Sequence, residues 1–342
     1  MSANSYKVAV VGAGAVGEEM VKVLRQRNFP MEELKVLARS ARKQMIDGVE
    51  FDVQPTTAEA FDDIDIAFFA GTEGEKGASQ LFGWEAVARG AFVVDNGDDY
   101  RMDPRVPLVV PEVNADALKD HQGFVCNPNC STIQMVLALA PLHKLANMKR
   151  VVVASYQSVS GSGSAAIKEL QQQIVASVKG EELQIKEYPY QILCNVIPHI
   201  SKLKDEFTGY YGEEIKMIVE TRKIFGLPDL GVSATCVRVP VIQGHSEAIN
   251  VEFEKPISAE QAREALANWP GITVIDDPAN AQYPMPLFAE GKDDTFVGRI
   301  RQDTSRPNAI DMWVVSDNIR KGAALNAVQI AESAIEQKLL KK

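Results

Sequence analysis

The chain has 342 residues, 46% of them hydrophobic and 24% charged, with a formal net charge of −10. That length exceeds what one hydrophobic core usually spans and predicts two domains, and the composition is that of a folded protein rather than a disordered one. The acidic balance, with no longer basic run than the closing Lys341-Lys342, argues against nucleic acid as a partner.

The amino terminus passes from Met1 through a short polar stretch into Val8 to Val11 without the charged-then-apolar pattern of a signal peptide. No apolar run approaches the ~18 residues that a membrane span needs, so no membrane association and a cytoplasmic location are expected. The opening then reads strand, glycine turn, helix: KVAVV, Gly12 to Gly17, and a helical stretch to about Arg27 stopped at Phe29-Pro30. Short apolar runs follow at Lys35 to Ala38, Asp65 to Ala70, Ala91 to Val94, Leu108 to Val110 and Phe124 to Cys126, with a helix over Lys76 to Arg89. This alternation predicts parallel strands covered on both faces. From Val151 the strands lengthen, at Val151 to Val159, Val232 to Val239, Ala248 to Phe253 and Ala309 to Val315, which suggests a mixed or antiparallel sheet. Helices are expected at Ala165 to Val178, Gly212 to Ile224 and Ala259 to Asn268, and the amphipathic stretch Asn318 to Leu340 is expected to fold back onto the first domain. The fold class is therefore α/β, an N-terminal Rossmann-type dinucleotide-binding domain followed by an α+β domain with a mixed sheet.

The glycine turn has specific physical work to do. Gly12 makes the tight turn, Gly14 lets backbone approach a pyrophosphate, and Gly17 lets helix and strand pack closely, with Ala13, Ala15 and Val16 between them. A strand before and a helix after supply the confirming context. An NAD site would place an acidic residue at the end of the second strand, whereas this chain has Ala38-Arg39-Ser40-Ala41-Arg42. Arg39 and Ser40 suit a 2′-phosphate and favour NADP; surface arginines after a strand are also commonly just solvated.

Four cysteines, Cys126, Cys130, Cys194 and Cys236, are too few and too scattered for a disulfide scaffold. Cys126 and Cys130 lack a second Cys/His pair at ligand spacing and have Pro128 between them, so no metal site is expected. Cys130 instead falls at the start of a helix running to about Leu145, where the helix dipole favours a thiolate. The bland alternative is a small hydrophobe buried in the core.

The runs NPNCSTIQ, SYQSVSGSGS, EEIKM with ETRKI, and VSATCVRVPVIQGHSE, in that order along nearly the whole chain, closely resemble the aspartate-semialdehyde dehydrogenase family. The resemblance implies Cys130 as nucleophile, His245 as acid/base partner and Gln157 as the glutamine that orients a thioester. It further implies Arg238 as the clamp for the substrate α-carboxylate, Arg101 for phosphate, and Asn129, Glu213 and Lys216 as substrate-binding residues. Thr72, Ser160, Gly161 and Asn318 join the glycine turn as implied cofactor contacts. Glu213 with Lys216 also reads as an ordinary surface ion pair, and His245 as a satisfied core or turn histidine.

By the same resemblance, residues 1–127 with 318–342 form the NADP-binding domain, and residues 128–317 form the catalytic and dimerisation domain of a homodimer or homotetramer. The implied reaction is NADPH-dependent reductive dephosphorylation of L-β-aspartyl phosphate to the semialdehyde, on the route to lysine, threonine, methionine and isoleucine. Its partners are small molecules. The sequence departs from the family pattern at Gly97-Asp98-Asp99-Tyr100 and at Glu73 and Glu75, where acids fall where relatives carry small residues; carboxylates beside a phosphate site must point away or pair with Arg101. Two other readings compete. One is a thiol-dependent cousin such as N-acetyl-γ-glutamyl-phosphate reductase or glyceraldehyde-3-phosphate dehydrogenase, which Gln157 disfavours; the other is a non-catalytic relative, because fold alone does not establish function.

Overall fold

The structure is a computed structural model that describes residues 5–70, 74, 76–205 and 207–340. Its contacts divide the chain into two compact units, Met1–Asn129 with Ala323–Lys342, and Cys130–Gly322.

The first unit runs β1 (Tyr6–Val11), α1 (Ala15–Gln26), β2 (Met31–Ala38), β3 (Arg42–Ile46), β4 (Val49–Pro55), β5 (Ile66–Phe69), α2 (Ala78–Ala88), β6 (Phe92–Asp95), α3 (Pro111–Asn114) and β7 (Phe124–Cys126). The strands form one seven-stranded sheet in the order β3-β4-β2-β1-β5-β6-β7. All pairs are parallel except β3 with β4. Strands β5 and β6 are buried at every position, the pattern of parallel strands covered on both faces. The β3–β4 hairpin lay outside the sequence reading. It turns at Asp47-Gly48, whose φ values of 50° and 75° are those a tight two-residue turn demands. The expected strand Leu108 to Val110 is a single bridge from Leu108 to Cys126; Pro107 and Pro111 flank it and stop the ladder from extending.

The second unit contains α4 (Cys130–Ala146), β8 (Met148–Gln157), α5 (Ser164–Lys179), α6 (Gly212–Phe225), β9 (Gly231–Arg238), β10 (His245–Phe253), α7 (Ala259–Ala267), β11 (Ile272–Val274), α8 (Pro286–Ala289), β12 (Thr295–Gln302) and β13 (Ala309–Ser316). Its sheet is six-stranded and mixed, in the order β11-β12-β13-β10-β8-β9. Helices end where sequence chemistry ends them, α5 at Gly180 and α6 at Gly226, both left-handed. α7 opens on a reciprocal Ser258–Gln261 cap. Helix α4 is buried nearly all round and covers one face of the sheet.

After one π-helical turn, Arg320–Ala324, the chain returns to the first unit as α9 (Leu325–Glu336). Leu325, Val328 and Ala331 of α9 pack with Val8, Met20, Phe68 and Val94 in that unit's core. Among the described residues no helix is long and apolar enough to cross a membrane.

Candidate active site

In the first unit the turn after β1 has the shape its glycines require. Gly12 takes φ 107°, which L side chains rarely adopt. A methyl group on Gly17 would stand 1.8 Å from the Gly12 carbonyl oxygen, so α1 packs directly against the turn, while Gly14 has nothing within 4 Å of where its side chain would be. Backbone N–H groups at the start of α1 therefore face open space, the arrangement that receives a pyrophosphate. Gly12, Ala13 and Gly14 line a cavity of about 620 Å³ that also takes in Arg39, Arg42, Thr56 and Lys76. Among the described residues no acid lines it. Arg42 and Lys76 were outside the sequence list; Arg42 begins β3, four residues beyond the end of β2, with β4 lying between the two strands. Ser40 is exposed, and its carbonyl accepts from Arg42 at 3.4 Å. Thr72, with Glu73 and Glu75, lies outside the described residues.

Arg101, also in this unit, is buried in the loop after β6 and donates to the Asn96 carbonyl at 2.6 Å. Asp95 ends β6 fully buried, its Oδ1 accepting from Ser79 at 2.6 Å and from the Gly97 N–H at 2.9 Å. Burial pushes its carboxyl up to about 6 against those hydrogen bonds. Asp99, one of the four acids at odds with the family pattern, accepts from the Gly74 N–H at 3.1 Å and from Gln80 at 3.1 Å. It fastens one loop to another instead of standing bare beside an anion site. Asn326 on α9 donates to Asn127 at 2.7 Å and to the Val109 carbonyl at 3.0 Å, which fixes the segment leading to Asn129, itself buried.

In the second unit Cys130 is the first residue of α4 and is half-buried. It is therefore not a packed core thiol, and it sits where the helix dipole and N–H groups stabilise a thiolate. Cys236, by contrast, is buried and its thiol is pushed well up by desolvation, with Glu213 nearby adding to the effect. Gly322 presses against Cys130, for a methyl there would stand 2.8 Å from the Cys130 Cβ. Neither Gly322 nor Asn326 carries a local sequence signal; both emerge only from packing between distant segments.

Gln157 ends β8, Arg238 ends β9 and His245 begins β10, so strand register lays the three in one row across the sheet. Gln157 Nε2 donates to Ser131 Oγ at 2.7 Å and to Glu213 Oε1 at 2.9 Å, joining β8 to the first turns of α4 and α6. Glu213 is buried, and Lys216 one turn on is half-buried. Arg238 donates to the Ser158 carbonyl at 2.6 Å. His245 is completely buried, and its Nδ1 accepts from the Ser158 N–H at 3.1 Å. In the neutral ring the proton must therefore sit on Nε2, which has no protein partner. Desolvation and the Arg238 charge hold the imidazole well below the usual histidine range.

The loop after β8 completes the enclosure. Asn318 Oδ1 accepts from Ser158 and Ser160, each at 3.1 Å, and from the Gly244 N–H at 2.9 Å. A methyl on Gly161 would lie 3.0 Å from an Arg238 nitrogen and 3.2 Å from His245 Nε2. The second unit thus gathers Cys130, Gln157, Ser160, Gly161, Glu213, Lys216, Arg238, His245 and Asn318, while Arg101, Asn129, Arg39 and the glycine turn belong to the first. Among the described residues no cluster of three or more His, Cys, Asp or Glu could hold a metal ion.

The chain that carries these groups, a thiol at a helix start, a buried imidazole with an arginine beside it and a glycine turn after its first strand, matches known proteins over nearly its whole length. Residues 7–121 match the family model described as semialdehyde dehydrogenase, NAD binding domain, and residues 139–321 match semialdehyde dehydrogenase, dimerisation domain. Aspartate-semialdehyde dehydrogenase of Aquifex aeolicus is 50% identical over 98% of this chain and 99% of its own. The crystal structure of aspartate semialdehyde dehydrogenase II complexed with ASA from Vibrio cholerae superposes with TM-score 0.92 at 41% identity, covering 98% of this chain and 99% of that one. The crystal structure of aspartate semialdehyde dehydrogenase with NADP from Candida albicans does so at 0.76 and 25% identity, over 98% and 100%. With full-length likeness at this level, the chain belongs to the aspartate-semialdehyde dehydrogenase family.

Proposed function

We propose that the protein is an NADP-dependent aspartate-semialdehyde dehydrogenase that reduces L-β-aspartyl phosphate to L-aspartate 4-semialdehyde through a thioester on Cys130. The observation that carries this reading is the row of Gln157, Arg238 and His245 at one end of the sheet under a helix that begins at Cys130. The Cys130 thiolate attacks the acyl carbon; the C–S bond forms, the bond to the phosphate oxygen breaks, and inorganic phosphate leaves. Gln157, held by Ser131 and Glu213, orients the acyl group, and Arg238 grips the α-carboxylate with its planar fork. His245 Nε2–H donates to the carbonyl oxygen and supplies its proton as charge builds there. The thioester carbon must also gain a hydride, which NADPH would supply when bound; the proton then returns as the resulting thiohemiacetal opens, the C–S bond breaks, and the aldehyde departs with Cys130 left as the thiolate.

The glycine turn and the cavity bearing Arg39, Arg42 and Lys76 fit NADP(H), whose chemistry when bound is hydride transfer. Preference for NADP over NAD is supported by those cations and by the absence of an acid at the end of β2. We assign Arg101, Asn129 and Lys216 to the phosphate and substrate ends, and Ser160, Gly161 and Asn318 to the cofactor side. We infer a homodimer built on the second unit, in keeping with the dimerisation model it matches and with Tyr156, 39% exposed on the sheet face turned away from α4; light scattering tests it. Cytoplasmic residence follows from the thiol chemistry, which needs a reducing compartment.

The test is to mix the protein with aspartate semialdehyde, phosphate and NADP, follow the reduced cofactor, and run Cys130→Ala beside it. Phosphate-dependent turnover lost in the variant supports the reading; bound NADP without turnover rejects it.

A further inference from the structure

Beneath the row of His245, Gln157 and Arg238, strand register places a second polar row. Glu247 on β10 stands opposite Ser155 on β8, and Ser155 opposite Cys236 on β9. The next row down, Ile249, Val153 and Ala234, is apolar. Glu247 is completely buried, and neither carboxyl oxygen makes a hydrogen bond of good geometry. Gln134, one turn beyond Cys130 and Ser131 on α4, lies beside it and bears on its carboxyl as a hydrogen-bonding amide, yet neither polar atom of that amide has a well-formed partner. Ser155 Oγ, from the same row, donates to Gln157 Oε1 at 3.4 Å. Natural proteins leave few buried polar groups unsatisfied without a reason.

Rows of this kind are usually apolar, because a carboxylate without a cation is the costliest group to bury. Among the described residues, the influences on Glu247 are burial and the Gln134 amide, with no cation beside them. The groups sharing its side of the sheet are the Cys236 thiol, itself influenced by Glu213 and Glu214, and the neutral His245 one row above. Each of those acids would repel a second negative charge. Burial accordingly drives the Glu247 carboxyl well above the usual range.

We propose that Glu247 is a positioning residue for the reaction: a neutral carboxyl group set between Gln134 on α4 and Ser155 on β8, which seats Gln157 and the first turn of the helix carrying Cys130. A neutral acid both donates and accepts, so it can serve an amide on one side and a hydroxyl on the other. It does so without placing a negative charge beneath a thiolate. The inference rests on the reaction assigned above.

Three variants test it: Glu247→Gln, Glu247→Met and Ser155→Ala. Glu247→Gln preserves a neutral donor and acceptor, so kcat stays within about twofold of the parent, as does the pH profile. Glu247→Met and Ser155→Ala loosen the seat of Gln157, lowering kcat by roughly 10- to 100-fold at nearly unchanged KM, the scale of a misplaced reacting group. Iodoacetamide alkylation of Cys130, read by peptide mass spectrometry across pH, gives a measure that needs no turnover. Its midpoint is the same in the parent and Glu247→Gln. A midpoint lowered in Glu247→Gln would mean that an ionised carboxylate had been removed, and would overturn the neutral form. Unchanged kcat in both Glu247→Met and Ser155→Ala would overturn the positioning role, and Ser155→Ala decides alone if the methionine variant does not fold. Absence of turnover in the parent would reject the assigned reaction, while the alkylation midpoints would still decide the state of Glu247.

Discussion

Replacing Gly322 with alanine places a methyl group 2.8 Å from the Cys130 Cβ and 3.3 Å from its Cα. Carbon atoms in contact rest about 3.5 to 4.0 Å apart, so the nucleophile or the turn opposite it must give way by about 1 Å. The Gly322 N–H is tied to the Asp317 carbonyl at 3.0 Å, and the Asp317 carboxylate holds the Ile319 and Arg320 N–H groups at 3.0 Å each. That turn is therefore braced, and the yielding partner is Cys130. A shift of that size in a reacting group costs about 100-fold in rate, while overpacking at one site costs about 1–3 kcal/mol of stability. Initial rates with aspartate semialdehyde, phosphate and NADP should show kcat down about 100-fold with KM for NADP unchanged. Urea unfolding should show a protein that still folds cooperatively. A kcat within about twofold of the parent would refute the claim that this contact sets the thiol.

Other expectations follow from the same geometry. Arg39→Ala should raise KM for NADP by about 10- to 100-fold, the worth of a lost charge-assisted hydrogen bond, and leave KM for NAD nearly unchanged; equal effects on both cofactors would deny Arg39 its 2′-phosphate role. His245→Ala should lower kcat by about 10²- to 10⁴-fold, and because the imidazole is held well below the usual histidine range, the acid limb of the parent's kcat profile should lie below the ordinary value of about 6.5. Asp95 titrates near 6 in the folded protein against 3.8 when unfolded, so the folded state holds its proton longer and loses stability as pH rises from 3.8 through 6. Between pH ~4.5 and ~7 the parent should therefore lose about 2 kcal/mol relative to Asp95→Asn in urea unfolding; a pH-independent difference would contradict the buried-carboxyl account.

Local pattern made the dinucleotide turn readable, since strand, glycines and helix are consecutive, and it placed Cys130 at a helix start because NPNC interrupts two apolar segments. The β3–β4 hairpin was also legible in Asp47-Gly48, flanked by alternating residues, and missing it concealed why Arg42 borders the nucleotide cavity. The edge strand β11 and its neighbour β12 were missed, the first being short and the second interrupted by Gly298 and Arg299. Contacts between distant segments were beyond any local signal. Nothing near Glu213 announces that it accepts from Gln157, and its i, i+3 spacing with Lys216 gives no hint that it is buried. Glu247 falls just before the expected strand Ala248 to Phe253, and only the observed register sets it under the site.

The most direct test of the central claim is to trap the acyl enzyme. Incubating the protein with aspartate semialdehyde and NADP, omitting phosphate, and quenching in acid should leave a β-aspartyl mass increment on the Cys130 peptide that phosphate discharges. Turnover without any adduct on Cys130, or an adduct on Cys194 or Cys236 instead, would contradict the thioester mechanism.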